Sequence, residues 1–328
     1  MQEKRYVASE IDVNDVGTVS VSGHKGTKRS GKKKVFKKEW LICIVCVSLP
    51  FIGYIIFNAF PIGISIASMF TDIEHNQIST MTWNGFAHFK SFFTDAKYLH
   101  ALGITLWLTC AQFVSLLIAL IVAVLLKAQK RGSRIFQTLF FVPYICSMVA
   151  VSIMWNWVFS SSDAGVLNSI LGTHKDWIGD ANSLTWCIFT TLLWQAPGYG
   201  IVMLTAALTG IDGSLYEAAE IDGANAWQKF IKITIPQIAP MILFLALAAW
   251  QTGLTTFDAA TVLAPITWTG TAGIEDMGLT ISYYSYIQGM SFSHMDYASV
   301  INWMTAIINF AGAFLFLKLR TKAEDNLG

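Results

Sequence analysis

Residues 211–236 read IDGSLYEAAEIDGANAWQKFIKITIP, and this stretch decides how the chain is organised. Uncharged apolar runs flank it on both sides, so these 26 residues must stand in water between two membrane spans. They mix Glu217, Glu220, Asp222, Lys229 and Lys232 with Leu215, Ala218, Ala219, Ala226, Trp227 and Phe230. That mixture suits two short amphipathic helices with a turn at Gly223, and Pro236 opens the next span. A helix pair too polar to enter lipid, yet carrying an apolar face, wants a protein partner; the alternative is a plain connector.

Working outward, the rest of the chain reads as membrane protein. It is 54% hydrophobic and 13% charged, with a mean hydropathy of +0.51. The charges are segregated: Glu39 to Asp72 encloses 32 uncharged residues, Lys97 to Lys127 encloses 29, and Arg134 to Asp163 encloses 28. Asp180 to Asp212 encloses 31, Lys232 to Asp258 encloses 25, and Asp296 to Lys318 encloses 21. A span needs about 20 apolar residues, so each gap holds one helix. Six spans are expected, near 41–70, 101–126, 135–159, 184–210, 237–260 and 297–318. The Ser-, Tyr- and Gly-rich run 277–295 is expected to be an outer loop or partial helix. The fold class is therefore all-α and polytopic, with a basic tail over 1–39 expected to be disordered, a transmembrane domain over 40–320, and a short C-terminal tail over 321–328.

Basic residues set the orientation. The N-terminal tail, 127–134, 211–236 and the C-terminal tail carry 10, 4, 2 and 3 of them, or 19 of 22. The other three connections carry only Lys90, Lys97 and Lys175, beside nine acidic residues. Both termini and residues 211–236 are thus expected in the cytoplasm of a bacterial cell, the chain being a multi-pass protein of its inner (plasma) membrane. The cluster Lys32-Lys33-Lys34 and Lys37-Lys38 anchors the first span, and membrane lipid is its expected neighbour. No cleavable signal is expected, because the first apolar run starts late and is too long. No basic surface for nucleic acid stands out beyond the tail.

Several function classes fall away on residue chemistry. Gly26-Thr27-Lys28-Arg29-Ser30-Gly31-Lys32-Lys33 almost spells a phosphate-binding loop, but Lys33 stands where Ser or Thr would hold magnesium. If ATP drives this protein, the nucleotide sits on another polypeptide, and no cofactor is expected here. The six histidines form no paired metal spacing, and the five cysteines, Cys43, Cys46, Cys110, Cys146 and Cys187, read as small apolar fillers, so no metal site is expected. No catalytic pair can be drawn inside a span, so the chain is not expected to be an enzyme. Only Asp258 carries charge at a span margin; proton-coupled carriers keep ionisable groups along their path, so a neutral, hydroxyl-rich cargo and an external energy source fit better.

The spacing Glu217-Ala218-Ala219, Gly223, Pro236 resembles the EAA loop of ABC-type importer permeases. The likeness covers about residues 40–320 and is closest to the maltose-type and multiple-sugar-type permeases. It is carried by Trp83-Asn84-Gly85-Phe86 with His88-Phe89, Phe141-Val142-Pro143-Tyr144, Asp176-Trp177-Ile178-Gly179-Asp180, Leu215-Tyr216, Ile221-Asp222-Gly223-Ala224 and Trp227-Gln228-Lys229-Phe230. Two positions depart: Ile235 precedes the proline where Leu is frequent, and Thr261–Trp268 replaces a Thr-Gly-Gly-Pro turn. The resemblance implies a maltose-permease-like fold and half of a translocation pathway for carbohydrate. It also implies a second related permease, a dimer of ATP-binding subunits docking on Glu217, Ala218, Ala219, Gly223 and Pro236, and an extracytoplasmic solute-binding protein that delivers sugar. Alternatives are an importer of another small solute (a glycerol phosphoester or polyol) and a membrane scaffold or sensor that has lost transport.

Polar groups inside spans face the bundle or a water-filled cavity. Tyr144, Gln195 with Tyr199 one turn on, and Thr252, Gly253 and Thr256 are therefore the candidate cargo-path residues, and the fourth- and fifth-span positions fall at levels that line the sugar site in maltose-type permeases. For each, interhelical packing or a local backbone hydrogen bond is the alternative.

Overall fold

The computed structural model describes residues 32–129, 132–162, 165–268 and 270–325. Most of the basic tail, six residues of the near-phosphate-loop segment Gly26–Lys33, Asp163 and residues 326–328 lie outside that set. The chain falls into two compact units, Met1–Phe60 and Pro61–Gly328. In the first, α1 (Lys32–Tyr54) ends in a π-helical turn, Ile55–Ala59. Lys32 to Glu39, which the sequence reading assigns to a tail expected to be disordered, are already helical ahead of the apolar run. Lysine is a good helix former, so the turn before the span need not fray. Large side chains such as Leu49 and Phe57 are exposed, as suits hydrocarbon surroundings.

After α2 (Phe60–Ser68) the second unit opens outside the spans with a small antiparallel hairpin, β1 (Thr71–Asp72) and β2 (Thr82–Trp83), followed by α3 (Ala87–Phe93). Its centre is α4 (Ala96–Ala128), N-capped by Asp95, whose Oδ1 accepts from the backbone N–H groups of Lys97 and Tyr98. Two helices, α5 (Ser133–Ile145) and α6 (Met148–Val158), occupy the third expected span and meet at 94°. A straight span over 135–159 is thus not what forms. Pro143 removes one helical N–H, and Cys146 and Ser147 are extended, so the helix breaks just beyond it. Then come α7 (Val166–Leu171), α8 (Ala181–Gln195) and α9 (Pro197–Thr209), the last two forming one apolar helix of 29 residues. Lys175 Nζ lies 3.0 Å from Asp180, the N-cap of α8, and with the Asn182 N–H it holds that carboxyl down at about 2.

The remaining elements are α10 (Gly213–Ile221), α11 (Ala226–Lys229), α12 (Ile235–Leu254), α13 (Asp258–Leu263), α14 (Ile281–Tyr286) and α15 (Met295–Asp325). Among the described residues, five apolar helices are long enough to cross a membrane, and the bent pair, taken as one span, makes a sixth. α14 and the π-turn Ile287–Ser291 are short and largely buried, and they do not span.

Small residues let α4 sit at the centre. Ala101, Ala111, Ala119 and Ala123 are fully buried on it. A Cβ on Gly200 of α9 would come 2.8 Å from the Ala119 methyl, and one on Gly253 of α12 would come 2.5 Å from Thr109 Oγ1. Close backbone approach of this kind is how helices associate where lipid removes the hydrophobic drive. Outside the spans, Asp95 Oδ2 accepts from the hydroxyls of Tyr284 (2.6 Å) and Tyr297 (2.5 Å). His88 Nε2 lies 3.0 Å from Asp72 and 3.5 Å from Asp296, tying the hairpin to the start of α15. The ligand atoms of these three residues, far apart in sequence, lie within 4.8 Å of one another, a grouping that spacing alone does not reveal.

Candidate functional site

Two sites emerge, one at the polar helix pair and one between spans. In the pair, Asp212 caps α10 by accepting from Ser214 N–H, and this contact lowers its carboxyl pKa. The chain leaves α10 through Gly223 at φ +76°, with Ala224 N–H bonded to Ala219 O at 2.9 Å. Only glycine takes that conformation without strain, and the wrap-around bond closes the helix end. Asn225 then caps α11 in a reciprocal capping box with Gln228. The expected pair and turn are therefore built from local chemistry. One feature differs from a pair plus a separate span: α11 runs into α12 through a π-helical turn, Phe230–Thr234, giving one helical run from Ala226 to Leu254. The Ile235 N–H reaches back five residues to Phe230 O, and Pro236, beside it in the first turn of α12, has no N–H to leave orphaned.

Glu217 is exposed, and among the described residues its carboxylate has no hydrogen bond or ion pair, whereas Glu220 pairs with Lys229 at 3.6 Å. Leu215, Ile221 and Trp227 of the same helix pair are exposed, at 41%, 87% and 68%, a large apolar surface to leave in water. Ala218 is exposed and Ala219 half-buried, so small side chains leave the Glu217 face accessible. Inward, Tyr216 OH bonds Thr234 Oγ1 at 2.9 Å, and Lys127 at the end of α4 lies 4.7 Å over the Tyr216 ring. The pair is thereby fastened both to α4 and to the start of α12.

The second site is a cavity of about 320 Å³. α4 contributes Gln112 and Ser115, α5 Tyr144, α9 Tyr199, and α12 Thr252. Gln195, Thr255, Thr256 and Asp258 add to its polar lining. Gly198 places the aromatic wall: it packs against Phe140 O, and its Cβ position lies 3.1 Å from Tyr144 Cβ. Tyr144 and Tyr199 consequently stack at 5.4 Å and 23°.

Of the sequence-derived cargo residues, Tyr144, Gln195, Tyr199, Thr252 and Thr256 are brought together on this cavity, and Gly253 is not. Gly253 is buried against Thr109 and serves helix packing. Two others are partly absorbed by the fold. Gln195 Nε2 donates to Cys146 O at 2.9 Å, satisfying the carbonyl that the α5–α6 break frees. Thr256 Oγ1 leans back on Thr252 O at 3.4 Å. Gln112 and Ser115 escape a reading based on charge gaps, which treats an uncharged amide as apolar; a glutamine in the middle of an otherwise apolar run is the signal that finds them. Among the described residues, none that line it is basic, and Asp258 is the one acid.

Apolar helices around a cavity of mixed polar and apolar lining, with an exposed helix pair between two spans, describe a multi-span membrane protein with room for a small solute. Residues 115–319 match the model of the family described as "Binding-protein-dependent transport system inner membrane component". The chain is 31% identical over 291 residues to the probable ABC transporter permease protein YesP of Bacillus subtilis, covering 86% of this chain and 91% of that one. It is 29% identical to the lactose transport system permease protein LacF of Rhizobium radiobacter, covering 87% and 96%. Its fold matches the crystal structure of a bacterial ABC transporter involved in the import of the acidic polysaccharide alginate, at TM-score 0.72 and 23% identity, covering 88% of this chain and 98% of that one. The chain belongs to the family of binding-protein-dependent inner-membrane transport components: it is an ABC importer permease subunit.

Proposed function

We propose that this subunit forms half of the path of an ATP-driven importer of neutral carbohydrate. The cavity lining carries the reading. It offers hydroxyls and amides at many angles, a stacked tyrosine wall for the apolar face of a sugar ring, and no cation. A glycerol phosphoester or a uronate would meet Asp258 with no compensating base, so the anionic alternatives are disfavoured. The polyol alternative shares the hydroxyl chemistry but makes no use of the tyrosine wall. Family membership and the likeness to a lactose permease support the same reading.

The geometry supports the partners that the resemblance implies. The exposed Glu217 face supports docking of an ATP-binding subunit, with Gly223 and Pro236 setting the shape of the pair. A second related permease would close the cavity, and a solute-binding protein would deliver the cargo outside. Both termini lie in the cytoplasm on this reading, following the positive-inside rule. Cysteines placed at Ser91 and Ser214, both exposed, should therefore react with impermeant thiol reagents from opposite sides, Ser91 from outside. Labelling of both from one side contradicts the orientation.

The cavity itself is tested by the double substitution Tyr199→Ala with Thr252→Val. Each loses one neutral hydrogen bond of about 0.5–1.5 kcal/mol, so the pair should slow sugar uptake about fivefold to a hundredfold at equal amounts of inserted chain. Parental uptake by the double variant would remove this cavity from the path. Gln195→Ala is a poorer probe, because it also frees Cys146 O at the α5–α6 break.

A further inference from the structure

We propose that Gln112 is a specificity-determining residue of the importer, reading a pair of neighbouring hydroxyls on the sugar ring. This rests on the reading of the cavity as the cargo path. The observation is a contrast along α4. Thr105 and Thr109 are buried, but their hydroxyls are spent within the helix, on Ala101 O (2.7 Å) and Thr105 O (2.8 Å), and Thr105 Oγ1 also accepts from Ile281 N–H. Gln112 is only 8% exposed and lines the cavity, yet among the described residues its amide has no hydrogen-bond partner. Ser115, three residues on and 4% exposed, lines the same cavity and is likewise unpartnered.

The Gln112 amide opens onto the cavity, so its partners there are water or cargo. Its oxygen accepts from one hydroxyl while its N–H donates to the next oxygen, which is the pattern a vicinal diol presents. Ser115 adds a donor and an acceptor beside it. The other cavity glutamine, Gln195, has an N–H group committed to Cys146 O and so retains less of this capacity. Of the two, Gln112 is the one free to discriminate.

The test uses the complete importer, with its partner subunits and binding protein, in membrane vesicles. The probe is whichever of a panel of labelled neutral mono- and disaccharides the parental chain accumulates, together with its monodeoxy analogues. Gln112→Leu should slow uptake of the full sugar about two- to tenfold at equal insertion. It should also erase the parental preference for the full sugar over one monodeoxy analogue, a change that a merely structural role would not produce. If Gln112→Leu inserts poorly, Gln112→Met, unbranched and of similar reach, carries the same test. Retention of every parental preference by the inserted variant overturns the assignment. If uptake responds to the Tyr199→Ala, Thr252→Val pair but not to Gln112, this inference alone falls. If it responds to neither, or if no neutral sugar is accumulated, the reading of the cavity falls with it.

Discussion

Gly223→Asp or Glu217→Lys is expected to cut sugar uptake about tenfold or more while the chain still inserts in the membrane. Gly223 stands at φ +76° with nothing within 4 Å of where a Cβ would project, so the obstacle to a side chain is the backbone conformation and not space. A non-glycine residue in the left-handed region costs about 1–2 kcal/mol. The turn can escape that cost only by opening the Ala224–Ala219 bond and re-aiming α11 against α10. Glu217 acts differently. Among the described residues its carboxylate is unpartnered, and exposed apolar side chains lie on the same helix pair, so a partner's cation would meet it in a partly desolvated interface. Reversing one member of such a pair costs about 2–5 kcal/mol, or about thirtyfold and more in binding. Uptake per inserted chain, set against immunoblots of the membrane fraction, checks both variants. Parental uptake by either would separate this helix pair from energy coupling.

Gly198→Leu is expected to act on the fold itself. Its side chain would be driven into the backbone of Phe140 and Phe141 and the Tyr144 Cβ, where α5 and α9 are closest. Overpacking of a well-packed site typically costs about 1–3 kcal/mol, and backbone atoms cannot step aside as a side-chain tip can. Loss of the α5–α9 contact also unstacks Tyr144 from Tyr199. The expected outcome is a low yield of folded chain in mild detergent, measured by size-exclusion chromatography, with residual uptake below that of the cavity variants. A parental yield would mean that α5 is free to move away, and the aromatic wall would then not be a fixed feature.

Much of this was legible in the chain because its signals are local. Charge gaps locate spans, since the cost of a charge in hydrocarbon is paid wherever it sits. The Gly223 turn and the Asn225 cap are written in four or five adjacent residues. The break at Cys146–Ser147 was not legible as a 94° bend, because Pro143 permits a kink without fixing its size, and the freed Cys146 carbonyl is satisfied by Gln195, 49 residues away. Gly253 was misplaced on the cavity for a related reason. Sequence spacing puts it beside Thr252, but which side of α12 meets Thr109 depends on how the helices rotate against each other. The outer cluster of Asp72, His88 and Asp296 joins residues more than 200 positions apart, which no spacing rule reaches. Gln112 was overlooked because an uncharged amide leaves the charge pattern intact, although its burial is what makes it informative.

The central claim, an ATP-driven importer permease whose path suits neutral sugar, is tested most directly by uptake in sealed vesicles carrying the complete importer. Labelled neutral mono- and disaccharides, glycerol 3-phosphate and a short uronate oligomer would be offered in parallel, with and without ATP on the cytoplasmic side. The cavity lining predicts accumulation of at least one neutral sugar and none of the two anions, since among the described residues of this chain's cavity Asp258 is the one charged group and no base stands beside it. Accumulation of either anion in preference to every neutral sugar, or sugar accumulation that proceeds equally without ATP, would contradict the account.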